Sequence, residues 1–266
     1  MGMETVTHHD RVTAYRHVDR RDEPDRSDAA GCCFVHGSGA TGRVWNGQLP
    51  LARDRPITTL DLSGHGDSED IEARAGYQTL TAYADDVLAV LESTGDRVLI
   101  GNSLGGAVAQ HLLIERDVDV DAAVLTGTGA RLGVLEDLLD WLDNDFERAN
   151  EFLHEPGRLF LDPDPDVRER SSETMAETGS TVTYRDFLTS HRFDVRDRLG
   201  EISVPTLVVY GSGDQLTPPW FHEYLADEIP ETTLVEIDDA AHLAMVEQPA
   251  AFNEALTSFL TDEIDG

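Results

Sequence analysis

Ser103, Asp214 and His242 have the residue types and positions that acyl transfer requires. Ser103 sits in Gly101-Asn102-Ser103-Leu104-Gly105-Gly106, where a short apolar run gives way to a helical pattern. A turn that tight forces the serine into strained backbone angles and tolerates only glycine or very small neighbours. The helix that follows aims its N-terminal amides at a reacting oxygen. The glycine pattern alone is weak, because glycine is common; its place between strand and helix gives it weight.

A serine hydroxyl needs a base. Among the 10 histidines, His242 follows the last predicted strand in Asp238-Asp239-Ala240-Ala241-His242, ahead of a C-terminal helix. His222 lies inside an amphipathic helical pattern and reads as a packing or surface residue, and His65, between two glycines, reads as structural. For the acid, Asp214 closes Gly211-Ser212-Gly213-Asp214 after the apolar run Leu207-Val208-Val209-Tyr210, and the preceding strand ends in Thr126-Gly127-Thr128-Gly129 with no carboxylate. Asp238 and Asp239 are too near His242 in sequence to reach its Nδ1 easily. The plainer alternative for Asp214 is a turn residue beside glycine. His36-Gly37-Ser38-Gly39 ends another apolar run, so the Ser38 amide could pair with that of Leu104 as an oxyanion hole.

These residues must be carried to one rim by a sheet. A hairpin is expected from 5–7 and 12–15 around His9-Asp10, and a charged loop over 20–30. Apolar runs at 32–35, 57–62, 98–100, 122–125, 206–210 and 233–237 read as buried strands, alternating with helical patterns at 80–91, 104–114, 219–227 and 250–260. That rhythm implies an α/β fold, with a mostly parallel sheet and helices on both faces, and ligands bind beyond the carboxyl ends of such strands. Between 131 and 198 no buried strand appears; helical patterns at 135–142 and 146–153 are broken by Pro156, Pro163 and Pro165. An interruption of that length is expected to be a helical cap or lid, leaving 1–130 and 199–266 as the core.

Composition excludes several classes. Asp and Glu total 52 against 20 basic residues, every one of them arginine, for a formal net charge of −32. Such a field opposes nucleic acid and anionic membrane. The acids are spread along the chain rather than gathered in a tail, and the lysine-free, acid-rich composition resembles proteins of salt-accumulating halophilic archaea. An acidic mesophile protein, or a genome that avoids lysine codons, is the alternative. No apolar stretch suits a membrane span or a secretory leader, so a cytoplasmic protein with a small-molecule substrate is expected, its oligomeric state unreadable. Adjacent Cys32 and Cys33 read as small buried hydrophobes in a strand.

In its motifs and their order the chain resembles the α/β-hydrolase superfamily, in its capped, cofactor-independent branch. The matching pieces are His36-Gly37-Ser38-Gly39, Asp61-Leu62-Ser63-Gly64-His65-Gly66-Asp67-Ser68, the Ser103 elbow, Pro205 to Asp214, and His242 with Glu247-Gln248-Pro249. The resemblance implies a catalytic triad of Ser103, Asp214 and His242, oxyanion amides from Ser38 and Leu104, a purely structural turn at 61–68, and no metal or cofactor. Carboxylic-ester hydrolysis is then the expected reaction. A carbon–carbon bond hydrolase of dienoic keto acids is the nearest rival, suggested by Asn102 before the nucleophile, although Leu243 stands after the base where such enzymes commonly carry tryptophan. A non-catalytic ligand-binding protein on the same fold is the alternative from another class.

Overall fold

The computed structural model describes residues 2–22 and 29–264, so residues 23–28 of the expected charged loop lie outside the described residues. Strands β1 (Glu4–His8) and β2 (Arg11–Val18) pair antiparallel, with His8 opposite Arg11. His9 and Asp10 between them have φ of 45° and 59°, the left-handed pair that a two-residue hairpin turn matching strand twist requires.

The sheet continues with β3 (Cys32–Val35), β4 (Ile57–Leu60), β5 (Val98–Asn102), β6 (Ala122–Thr126), β7 (Thr206–Gly211) and β8 (Thr232–Ile237). Its order is β1-β2-β4-β3-β5-β6-β7-β8, antiparallel at the β1–β2 and β2–β4 pairs and parallel from there on. Strands β3 to β7 are buried along their whole length, as continuous apolar runs covered on both faces should be. The two-residue strand period divides them between two cores: Cys32 and Phe34 enter one, Cys33 and Val35 the other. Both cysteines are free and buried, and burial pushes the Cys33 thiol well above its ordinary pKa.

The first core is closed by Phe252, Leu256 and Phe259 of α9 (Pro249–Glu263), which follows the short α8 (Ala244–Glu247). The second is closed by α1 (Tyr77–Thr94), α2 (Leu104–Glu115) and Leu225 of α7 (Pro219–Glu228). Between β6 and β7 the chain forms α3 (Glu136–Asn144), α4 (Phe146–Leu153), α5 (Pro165–Thr178) and α6 (Ser180–Arg192).

Some elements differ from the sequence expectation. Pro165 does not break a helix but opens α5, where its missing N–H costs nothing, and the Asp164 side chain caps it by accepting from the Asp166 amide at 2.9 Å. Only Met175 of α5 is buried, so that helix has almost no apolar period to read. The run at 233–237 is an edge strand with Ile237 alone buried, not a fully buried one. A 3-10 helix over Gly42–Arg53 has no counterpart in the sequence expectation, and its Trp45 packs between Phe34 and Phe252 at ring distances of 5.0 and 6.0 Å. No described helix is long and apolar enough to cross a membrane.

Candidate active site

Ser103 links β5 to α2 with φ 55° and ψ −116°, a conformation that costs an L-residue of order 1–3 kcal/mol. The positions two residues before and after it must be glycine for steric reasons. A Cβ on Gly101 would overlap the Gly105 carbonyl, and one on Gly105 would overlap the Val35 carbonyl, where α2 crosses β3. The elbow is pinned from β6: the Ser103 amide donates to Thr126 O at 3.0 Å, and Thr128 Oγ1 donates to Ser103 O at 2.8 Å. Asn102 Nδ2 donates to Thr126 O at 3.2 Å and to His242 O at 3.4 Å, so this side chain ties the elbow to the histidine loop.

Asp214 leaves the end of β7 with its side chain wholly buried. Oδ1 accepts from the amides of Leu216 and Thr217 at 2.8 and 2.9 Å, and Oδ2 from Thr217 Oγ1 at 2.6 Å and His242 Nδ1 at 2.9 Å. Burial pushes its pKa up, but the His242 ring and the Thr217 donors outweigh burial and hold the carboxyl below its ordinary value. An ionised Asp214 fixes the proton of His242 on Nδ1 and leaves Nε2 as the basic nitrogen.

Ser103 and His242 share the wall of a cavity of about 710 Å³, with no hydrogen bond between their side chains among the described residues. Such contacts are often loose before substrate binds. Ser38 lines the same cavity, and a Cβ on its neighbour Gly37 would come within 3.0 Å of Ser103 Cβ, which places that loop directly against the serine. Leu104 is the first residue of α2 with its side chain buried, so its amide is what it can offer a ligand. The remaining wall is mostly apolar, with Leu132, Val134 and Leu138 from the stretch around α3, Phe152 from α4, and Leu243 beside the histidine.

A family model described as "Alpha/beta hydrolase family" matches residues 34–255, the span that holds the elbow, Asp214 and His242. The chain belongs to the alpha/beta hydrolase family. It is 30% identical to a pimeloyl-[acyl-carrier protein] methyl ester esterase of Neisseria meningitidis, over 94% of this chain and 82% of that protein. It is 26% identical to 3-oxoadipate enol-lactonase 2 of Acinetobacter baylyi, over 97% of this chain and 96% of that protein. Among solved structures, one of a thermophilic esterase superposes with a TM-score of 0.86 at 30% identity, covering 99% of this chain and 98% of that one.

This alpha/beta hydrolase also contains site residues that its sequence does not announce. Thr217 is one, through its hydroxyl on Asp214. Asp186 of α6 is another: it accepts from the Gly39 amide at 3.2 Å, from His65 Nε2 at 2.8 Å and from Tyr83 OH at 2.7 Å, all in a buried cluster. His65 Nδ1 faces the carbonyls of Leu62 and Ser63 at 3.3 Å each, so both ring nitrogens of His65 meet acceptors. Burial disfavours charge on His65, but Asp186 outweighs it and raises the imidazole pKa. The turn at 61–68 is thus a charged anchor for the Ser38 loop. His36 is the neutral counterpart: Nδ1–H donates to Gly37 O at 2.8 Å and Nε2 accepts from the Leu62 amide at 3.0 Å, while burial and the adjacent His65 charge lower its pKa to about 4. His222 is a buried packing residue stacked 4.8 Å from Tyr210, and its Nε2 accepts from the Thr128 amide at 3.2 Å.

Proposed function

We propose that this alpha/beta hydrolase cleaves small-molecule carboxylic esters by acyl transfer through Ser103 to water. The observation that carries this reading is the buried His242 Nδ1 to Asp214 Oδ2 contact of 2.9 Å beside a serine held at φ 55° in the same cavity wall. In the reaction, His242 Nε2 takes the Ser103 proton as Oγ attacks the carbonyl carbon, and Asp214 holds the imidazole in that tautomer and stabilises the imidazolium. The negative charge that develops on the carbonyl oxygen is met by the amides of Ser38 and Leu104, a type of donor each worth about 3 to 4 kcal/mol in related chemistry. His242 then protonates the leaving alcohol, and a water activated by the same nitrogen releases the acid. The cycle closes without a metal or organic cofactor.

Relatives named for a methyl ester and for an enol-lactone both break an acyl–oxygen bond, which supports ester chemistry over cleavage of a carbon–carbon bond. Asn102, which suggests the latter, is occupied in holding the elbow to the His242 loop. Residues 131–198 act as a cap that shapes the acyl site, and what supports this is that Leu132, Val134, Leu138 and Phe152 line the cavity that contains Ser103. The excess of 52 acids over 20 arginines supports an enzyme of a salt-accumulating cell. Turnover of p-nitrophenyl butyrate by wild type and Ser103→Ala tests the reading. Hydrolysis that Ser103→Ala abolishes supports it; no turnover of any acyl ester, with ligand still bound, would make the protein a non-catalytic binder.

A further inference from the structure

The cavity wall reverses the charge balance of the chain. Against 52 acids and 20 arginines overall, its cations are Arg43, Arg158 and Arg170 and its anions are Glu173 and Glu177. Four of these five are exposed, at a rim where water and salt screen them. Arg158 is the half-buried one. We propose that Arg158 recognises an anionic group of the substrate, so that this enzyme prefers esters bearing a second, free carboxylate; this rests on the ester-hydrolase reading above.

The backbone around Arg158 is built into the reaction site. Gly157 N donates to Phe160 O at 2.7 Å, closing a tight turn with Gly157 at φ 81°, where a Cβ would overlap the Gln215 side-chain amide. The amide of Gln215, next to Asp214, donates to Gly157 O at 3.0 Å. From the other side, His242 N donates to Arg158 O at 3.4 Å and Leu243 N to Leu159 O at 3.0 Å. Arg158 is thereby fixed relative to both the acid and the base, on a segment that a bulkier residue at 157 could not follow.

Among the described residues its side chain has no partner of opposite sign. The guanidinium carbon lies 4.3 Å from the centroid of the Phe152 ring, which also lines the cavity, and Nε is buried without an acceptor. Among the described residues Arg158 forms no ion pair with a carboxylate. The ring face gives the guanidinium a cation–π contact but no counter-charge, so in a protein this rich in carboxylates its positive charge is left free to meet an anionic group in the cavity. A planar fork of N–H donors matches a carboxylate in two parallel bonds. A carboxylate on the ester's acyl or alcohol part would meet it while the scissile carbonyl sits over Ser103.

The test compares p-nitrophenyl hexanoate with the mono-p-nitrophenyl ester of adipic acid, and carboxyphenyl hexanoate with phenyl hexanoate, so that the acyl-side and alcohol-side carboxylates are separate arms. In wild type, kcat/KM should favour the anionic member of at least one pair although the net charge of −32 repels it. In Arg158→Gln that anionic-to-neutral ratio should fall by about 10- to 100-fold, as loss of a charge-assisted hydrogen bond predicts. Arg43→Gln, at the exposed rim, should move the ratio by no more than about twofold. A wild-type preference for the neutral member of both pairs overturns the proposal and needs no variant. So does a ratio that Arg158→Gln leaves unchanged, or one that falls equally in Arg43→Gln. If Ser103→Ala still turns over these esters, the hydrolase reading itself has failed, which the ratio does not measure.

Discussion

Asp186 and His65 form a buried ion pair, Oδ2 to Nε2 at 2.8 Å, with both side chains fully enclosed. Because Asp186 belongs to α6 and also accepts from the Gly39 amide, the pair fastens the helical stretch between β6 and β7 to the loop that carries Ser38. Removing one partner of such a pair strands a charge, which typically costs about 3–5 kcal/mol. Asp186→Ala is expected to lower the urea midpoint accordingly, whereas His65→Gln with Asp186→Asn should recover much of the loss. Equal destabilisation by the single and double variants would show that the pair is not coupled.

The same pair has a pH signature. Asp186 is held below its ordinary pKa, so its share of stability is present above about pH 4 and is lost as pH falls through the folded value. His65 is raised, so its share is complete below about pH 6.5 and is lost as pH rises through the folded value. The stability difference between wild type and the double variant should therefore be greatest between about pH 4 and 6.5. Urea melts of both proteins across that window measure it, and a difference independent of pH contradicts the assignment.

His222 is shifted in the opposite direction from His65. Burial lowers its pKa from 6.5 to about 4, against the pull of Asp214, so the folded state resists a proton that the unfolded chain accepts. Stability should fall on acidification from pH 6.5 towards 4, with His222 contributing about 3 kcal/mol. His222→Gln should show a shallower acid-side decline, read as the slope of unfolding free energy against pH.

Thr217 donates to Asp214 Oδ2 at 2.6 Å and lies 3.3 Å from His242 Nδ1. Thr217→Val keeps the shape and the Thr217 amide bond to Oδ1 but removes this donor. We expect kcat on a p-nitrophenyl ester to drop about tenfold, the scale of one hydrogen bond to a charge, with KM nearly unchanged. A KM effect alone would place Thr217 in substrate binding instead.

A glycine of the elbow and one far from it, Gly200 just before β7, give a steric contrast. Gly105→Ala drives a methyl into the Val35 carbonyl, so it should abolish activity and cost several kcal/mol. Gly200→Ala has nothing within 4 Å and should be neutral or stabilise by about 0.4–1 kcal/mol. Thermal melts and ester turnover of the two variants decide the matter.

What the sequence reveals follows from what its patterns encode. Ser103 and Asp214 are legible because each stands just after the carboxyl end of a buried apolar strand, where glycines mark a close backbone approach, and His242 because it follows the last strand run, although that run proves to be the edge strand β8. Strands β3 and β5 to β7 are legible as largely apolar runs, while β4 holds Thr58 and Thr59 between its apolar ends. Asp186 is not, because one carboxylate among 52 looks like another and its partner His65 is 121 residues away. Helix α5 buries Met175 alone and so leaves almost no periodic trace, and the 3-10 helix over Gly42–Arg53 contains Gly47 and Pro50, residues that read as loop. Arg158 and Thr217 act through turns whose placement is set by distant backbone contacts rather than by local pattern.

The proposed mechanism stands on acylation of Ser103 with His242 as its base. Incubation with a fluorophosphonate, followed by intact mass and peptide mapping, tests it most directly. Stoichiometric labelling at Ser103, slowed by orders of magnitude in His242→Ala, is the expected result. Labelling at another residue, or none while ester hydrolysis continues, would contradict it.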